Sequence, residues 1–295
     1  MNKVFFTNDL SKTAELFEIA GLKEIIQQDD SIALKIHFGE PGNTAYLKPH
    51  QVKLIAEKII SYGGRPFYTD CNTLYQGRRM FSKDHLLTAE EHGFTLEQAG
   101  AKAFIPEEED SLEIDVSLKH FKKVYIGSNA GNKIFALTHF KGHDVTGFGG
   151  AIKNLGMGFG TRKGKLKMHQ DCINCKEVKT CKRNQTLEAC YFGSSALVQE
   201  KMAEYAYGAV KNKKCAYFNF LINVSPNCDC YPFNGPPIMP DVGVFASFDP
   251  VAIDQACLDK ADKIKSIYPN IDCTIQLNYA EKIGLGSRKY QIINL

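Results

Sequence analysis

The feature that most narrows the folds open to this chain is the rhythm of its first half. Short apolar runs alternate there with helix-length amphipathic segments. Val4 to Thr7 is an apolar run, and Thr13 to Gln28 has helical periodicity with Ser11 placed to cap it. Ser31 to Phe38 reads as a strand closed by Gly39. A helix then runs from Pro49, tolerated in a first turn, to about Tyr62, where Gly63 and Gly64 end it. Arg65 to Thr69 is the next strand, and Asp84 to His92 the next helix, stopped by Gly93. Parallel strands need a crossover, usually a helix, and the crossover is right-handed. The order therefore predicts an α/β fold with a doubly wound, mostly parallel sheet.

The same alternation continues through strands at 120–126, 133–139, 215–224 and 242–247, and helices at 200–211, 251–261 and 275–283. No internal repeat interrupts it. The expected organisation is a single α/β domain over residues 1–295, with residues 169–193 inserted into it as a cysteine-rich metal-binding segment.

Composition removes several classes of function. With 44% hydrophobic and 23% charged residues, the chain can bury a core without covalent staples. Its net charge is +3 with acids and bases interleaved, so no nucleic-acid partner is expected. The densest basic run, Arg162 to Lys167, reads either as a solvated loop or as an anion-binding one. No apolar stretch approaches the roughly 18 residues of a membrane span, so no membrane partner is expected either. The opening residues MNKVFFTNDLSK lack the apolar core and cleavage site of a signal peptide, which points to the cytoplasm. Thiols stay reduced there, so the ten cysteines speak for metal or redox chemistry where they cluster.

They cluster once. Cys172, Cys175, Cys181 and Cys190 follow C-x2-C-x5-C-x8-C within a polar segment. Four thiolates are the ligand set of a [4Fe–4S] cluster and of structural zinc. The segment has few apolar residues to fold around, so a metal would supply its folding energy. The regular ferredoxin spacing is tighter and ends in proline, where this chain has Tyr191, so zinc remains the alternative. Cys228 and Cys230 flank Asp229 and, on an extended chain, face one side, where both thiols can meet one ligand. Two half-buried thiols at a strand end is the other reading. Cys71, Cys215, Cys257 and Cys273 are isolated and read as small core residues.

A second concentration precedes the cysteines. Gly142 to Gly164 holds eight glycines, just after a strand that ends near His139. Loops after strands lie at the carboxyl edge of an open α/β sheet, where ligands bind. His139 and His143 are candidates for proton transfer or metal ligation there. Gly149 and Gly150, opening a helix that carries Lys153, could offer amides and an ammonium to an anion. A packing junction with ordinary histidines is the competing reading. Loops after the strands carrying His37 and Asp70 fall on the same edge, so Asp70, Asn72, Arg78 and Arg79 are placed in one crevice with His139 and Lys153, unless they serve only the turns they sit in. A glycine fingerprint for a dinucleotide is absent.

These segments resemble the domain-of-unknown-function 362 family of iron–sulfur centre proteins. The matching stretches are KIHFGEPGNTAYLKP (35–49), TDCNTLYQGRR (69–79), HFKGHDVTGFGGAIKNLGMG (139–158), CDC (228–230) and PDVGVFASFDPVAIDQA (240–256). The resemblance implies ferredoxin-type clusters after the glycine-rich segment, where Cys172 to Cys190 lie, although this chain has one irregular set where many relatives show one or two regular ones. The glycine-rich segment is also distantly similar to that of the nickel-pincer lactate racemase family. That likeness implies a proton-transfer or metal role for His139 or His143 and a cofactor or substrate role for Lys153.

The expected function is therefore an iron–sulfur protein with an electron-transfer role, an oxidoreductase or the redox partner of one, with a small-anion site at the sheet edge. Two alternatives stand beside it. One is a non-redox, isomerase- or racemase-like enzyme acting on a small anion, with a structural metal. The other is a metal-binding module without catalysis.

Overall fold

The computed structural model describes all 295 residues and is built around one eight-stranded sheet. Its strands are β1 (Asn2–Thr7), β2 (Ser31–Lys35), β3 (Arg65–Thr69), β4 (Ala103–Phe104), β7 (Lys133–His139), β10 (Lys214–Leu221), β11 (Gly243–Ser247) and β12 (Tyr290–Asn294). The order is β12-β1-β11-β10-β7-β2-β3-β4. Strands β10, β7, β2, β3 and β4 run parallel, as do β12 and β1, while β11 is antiparallel to both of its neighbours. The fold is thus α/β with a mostly parallel sheet. Two small ribbons stand apart, β5 (Ser111–Asp115) with β6 (Lys123–Gly127), and β8 (Lys141–His143) with β9 (Gly147–Gly149).

Both faces of the sheet are covered, and β7 shows why its central residues, Ile134 to Leu137, are all apolar. Ile134 and Ala136 enter one core while Phe135 and Leu137 enter the other, and all are fully buried. A strand sandwiched between helices has no polar face to show. One core is packed by α1 (Thr13–Ile19) and α2 (Pro49–Ser61), with α3 (Ser82–Glu91) and α4 (Leu96–Ala99) beside them. The opposite core is packed by α5 (Ala151–Phe159), α8 (Ser195–Val210), α9 (Pro250–Lys260) and α11 (Ile275–Lys282). The remaining helices are α6 (Arg162–His169), α7 (Arg183–Thr186) and α10 (Ile264–Ile267). No helix is long and apolar enough to cross a membrane.

Four expectations need correction. The helix expected over 13–28 stops at Ile19, because Gly21 takes φ 70 and only a 3-10 turn follows. Its cap is also displaced: Asp9, not Ser11, accepts the amide that starts the preceding turn. The 120–126 segment forms β6 and pairs with β5, outside the main sheet. The basic run after Gly160 is helix α6, capped by Thr161, with Arg162 buried.

The connection from β10 to β11 positions the site. Because β11 runs antiparallel, the chain leaves β10 at the carboxyl edge, loops from 222 to 242, and re-enters at that same edge. The Cys228–Cys230 segment is therefore held beyond the ends of β7 and β2. The strand after His139 seals it in place: Phe140 and Gly142 donate amides to Phe220 and Ser225 oxygens at 3.0 and 2.9 Å. Gly142 is required there, since a Cβ would stand 2.2 Å from the Pro226 carbonyl oxygen.

Candidate functional site

Beyond the carboxyl edge of β2, β3 and β7 lies a cavity of about 670 Å³. Its wall is cationic. Lys35, Arg79, Lys141, Lys153 and Lys165 face Glu40, Asp70 and Asp144. Lys35 comes from the end of β2 and has no solvent exposure. Its Nζ reaches Asp70 Oδ1 at 2.9 Å and donates to Asn154 Oδ1 at 2.8 Å and the Ile36 carbonyl at 3.1 Å. Asn154 and Gly158 sit one turn apart on α5. Asn154 accepts from the ammonium, and Gly158 leaves it room, since a Cβ there would lie 2.3 Å from Lys35 Nζ. Burial draws Lys35 below the usual lysine range, against the pull of Asp70. Burial would raise Asp70, but Lys35 leads the cations that hold it below the usual carboxylate range.

Arg79, fully buried, pairs with Glu40 at 2.8 Å and stands 3.8 Å from Asp70 Oδ2. Tyr75 bonds both Arg79 and Glu40. On the β10–β11 side, Asp229 is fully buried and holds Lys141 at 3.0 Å and His139 Nδ1 at 2.8 Å. Burial opposes its charge, yet His139 and Lys141 keep its carboxyl well below the usual range.

Lys153, from α5, donates to Cys228 Sγ at 3.2 Å. Burial alone would lower it, but the Cys228 and Cys230 sulfurs hold it above the usual lysine range. Cys230 donates to Cys228, and Lys153 stabilises the Cys228 thiolate, so Cys228 is shifted down and Cys230 up. His143 completes the group: its ring and the two sulfurs place ligand atoms within 4.8 Å of one another, an arrangement able to hold a metal ion. His143 Nδ1 accepts amides of Val145 and Thr146 at 3.1 and 3.3 Å. In that tautomer Nε2 carries the proton and can donate to a thiolate; ligation through Nε2 requires that proton to leave. Burial, reinforced by Lys153, keeps the ring neutral.

Of the residues expected at the site, the cavity wall contains Asp70, His143, Lys153 and Cys230, with Cys228 directly behind. Others lie elsewhere. His139 is one layer back. Its ring nitrogens face Asp229 on one side and the Ile222 and Asn223 carbonyls on the other, so neither is free for substrate or metal. Arg78 turns outward and pairs with Glu91 at 2.6 Å, leaving its neighbour Arg79 as the cavity residue. Asn72 is buried beneath the wall, bonded to Ser82 and His85. After Gly149 and Gly150, the first amides of α5 are already occupied: Ala151 and Ile152 donate to the Asp254 carboxylate at 2.6 and 2.9 Å. Burial pushes that carboxyl up to about 6.

Lys35 and Lys141 are cavity residues that sequence reasoning passed over. A lysine inside the apolar run of β2 was a legible signal for the first. Lys165 also lines the cavity; it lies in the basic run that reads either as a solvated loop or as an anion-binding one.

The segment that carries Cys172, Cys175, Cys181 and Cys190 leaves from and returns to the wall of this cavity. Their segment is closed at its base, where Gly193 donates to the His169 carbonyl at 2.8 Å and the His169 ring meets the Tyr191 ring edge-on at 5.1 Å. His169 and Tyr191 both line the cavity. No residue from Asp171 to Gly193 is buried, and all four cysteines are half-buried, so the loop has no apolar core of its own. No three of the four sulfurs lie within 4.8 Å of one another.

Comparison with known proteins bears on this arrangement. One family model, described as Domain of unknown function (DUF362), matches residues 32–259. No curated protein matches the chain. Among solved structures, the chain is similar to the lactate racemase apoprotein from Thermoanaerobacterium thermosaccharolyticum, with 12% identity, 75% of this chain and 51% of that one covered, and a TM-score of 0.46. It is also similar to a protein from Thermotoga maritima, with 8% identity, 93% and 59% covered, and a TM-score of 0.46. The chain thus spans between half and two thirds of the length of either structure.

Proposed function

The chain belongs to the domain-of-unknown-function 362 family, and from that premise we propose that it is a metal-binding oxidoreductase acting on a small anion held in the cavity. The observation that carries the reading is a juxtaposition. The base of the cysteine loop, His169 and Tyr191, forms part of the wall of a lysine-rich cavity that also contains His143 and Cys230.

The donor set of the loop fits an iron–sulfur cluster. It brings four half-buried thiols to a segment without a core, and four thiolates are the ligand set of a [4Fe–4S] cluster. A cluster bound there would supply electrons one at a time. The chain's own residues do the rest. Lys153 keeps Cys228 as a thiolate, the His139–Asp229–Lys141 network fixes the loop that carries both cysteines, and the cationic wall attracts the anion. A low-dielectric cavity lined by fixed charges strengthens that attraction.

A second reading has its own observation. His37 and His143 both line the cavity, both accept backbone amides at Nδ1, and burial keeps both well below the usual histidine range. Neutral rings with Nε2 free suit proton transfer without redox chemistry.

Metal and sulfide analysis of anaerobically purified protein decides between them. The redox reading expects iron and labile sulfide in near-equal amounts, a spectrum that bleaches with dithionite, and marked loss of both in Cys175→Ser. One equivalent of zinc from iron-replete, anaerobic expression, with no sulfide, would overturn it and leave the proton-transfer reading.

A further inference from the structure

The charges of the cavity wall pair off with one exception. Lys35 is matched by Asp70, Arg79 by Glu40, Lys141 by Asp229, and Lys153 by the Cys228 sulfur. Lys165 is matched by nothing. Its Nζ donates to two backbone carbonyls, Gly160 at 2.6 Å and Cys71 at 3.4 Å, and no carboxylate lies within 4.0 Å of it. Each acid that could reach it is otherwise engaged. Asp70 is held by Lys35 and Arg79, and Glu108 accepts the Arg162 and Lys163 amides that open α6. Asp144 is exposed at the mouth and accepts from Tyr231.

An ammonium has three donor hydrogens, so one remains for the cavity. Lys165 is half-buried in the cavity wall, and a cation drawn partly out of water is ordinarily paired or bound to a ligand. Helix α6 carries Lys165 at the wall, its backbone amide donating to the Thr161 carbonyl at 2.7 Å. The geometry points to Lys165 as the anchor for the anionic group of the cavity's ligand, and, because one cation is uncompensated, to a singly charged carboxylate in preference to a phosphate dianion. A phosphate group carries about −1.5 to −2 at neutral pH and would leave a net negative charge in the cavity. His37 supplies a neutral donor on the same wall: its one protein hydrogen bond is at Nδ1, from the Gly39 amide at 3.0 Å, which leaves Nε2–H for a second oxygen.

This inference rests on the cavity being the ligand site. The test is a set of thermal-unfolding titrations on the full chain, with sodium acetate, sodium glycolate and inorganic phosphate as probes at constant ionic strength. Wild type should be stabilised in a dose-dependent way by the carboxylates and less by phosphate. Lys165→Met should need roughly ten- to a hundredfold more carboxylate for the same shift, the equivalent of one charge-assisted hydrogen bond, and Lys165→Arg should recover most of it. The readout is the shift with dose, so a lower starting midpoint in the methionine variant does not affect it. An unchanged dose response in Lys165→Met, or a stronger response to phosphate, overturns the assignment. If carboxylates leave wild type unmoved while added metal ions stabilise it, the anchor is wrong and the metal reading stands. If neither class of probe shifts the midpoint, the cavity itself is not the site.

Discussion

Replacing Asp70 by Asn isolates the most buried charge of the cavity. Lys35 has no exposure, and Asp70 at 2.9 Å is its one anionic partner. The variant keeps the shape of the side chain and leaves the ammonium with the Asn154 and Ile36 oxygens. Removing one member of a buried ion pair costs about 3–5 kcal/mol. The upper end has a physical limit, because Lys35 can release its proton instead of staying charged. At pH 7, neutralising a lysine of ordinary pKa costs about 4.6 kcal/mol, at 1.36 kcal/mol per unit. At pH 9 the same step costs about 1.9 kcal/mol.

The sign follows from linkage. In the variant the folded-state pKa of Lys35 is depressed, so between that value and the unfolded value the unfolded chain binds more protons, and stability rises with pH. The expected result in urea unfolding followed by circular dichroism is a deficit of 3–5 kcal/mol at pH 7 that narrows to about 2 kcal/mol at pH 9. The double variant Lys35→Met with Asp70→Asn should be less destabilised than Asp70→Asn alone, since it removes the stranded charge. A deficit below about 1 kcal/mol, the size expected of an exposed pair, or one of equal size at both pH values, would refute the pairing.

The neighbouring arginines should behave oppositely. Arg78→Ala should change stability by no more than about 0.5 kcal/mol, because its pair with Glu91 is solvent-exposed, whereas Arg79→Ala should cost about 3 kcal/mol or more by stranding buried Glu40. Gly142→Ala should cost about 1–3 kcal/mol in chemical unfolding, as its Cβ presses on the Pro226 carbonyl and displaces the Cys228–Cys230 loop; a neutral result would show that this backbone approach is not tight. Cys230→Ser should leave the iron content of anaerobically purified protein unchanged, and a marked loss of iron would place both sets of cysteines in one centre.

The alternation of strands and helices was legible because burial on both faces leaves a clear mark: β7 has no polar residue from Ile134 to Leu137. Local punctuation was legible too, with Pro49 opening α2 and Gly93 following α3. Fine boundaries were not. Gly21 breaks a periodic segment by its backbone angle, and β12 is an edge strand whose partner, β1, lies at the far end of the chain.

By itself the sequence determined the α/β architecture, the carboxyl-edge position of the loops after β2, β3 and β7, and the chemistry available in Cys172 to Cys190. Those properties follow from periodicity and residue type, which are local. Tertiary structure alone decided which of two adjacent arginines turns inward, that Asp254 occupies the amides of α5, that His139 braces Asp229, and that Lys165 faces the cavity without an anion. Each of these depends on partners distant in sequence, brought together by the antiparallel return of β11 and by α5 packing across the sheet edge. Pairing of buried charge is a property of three-dimensional neighbours, and no local pattern encodes it.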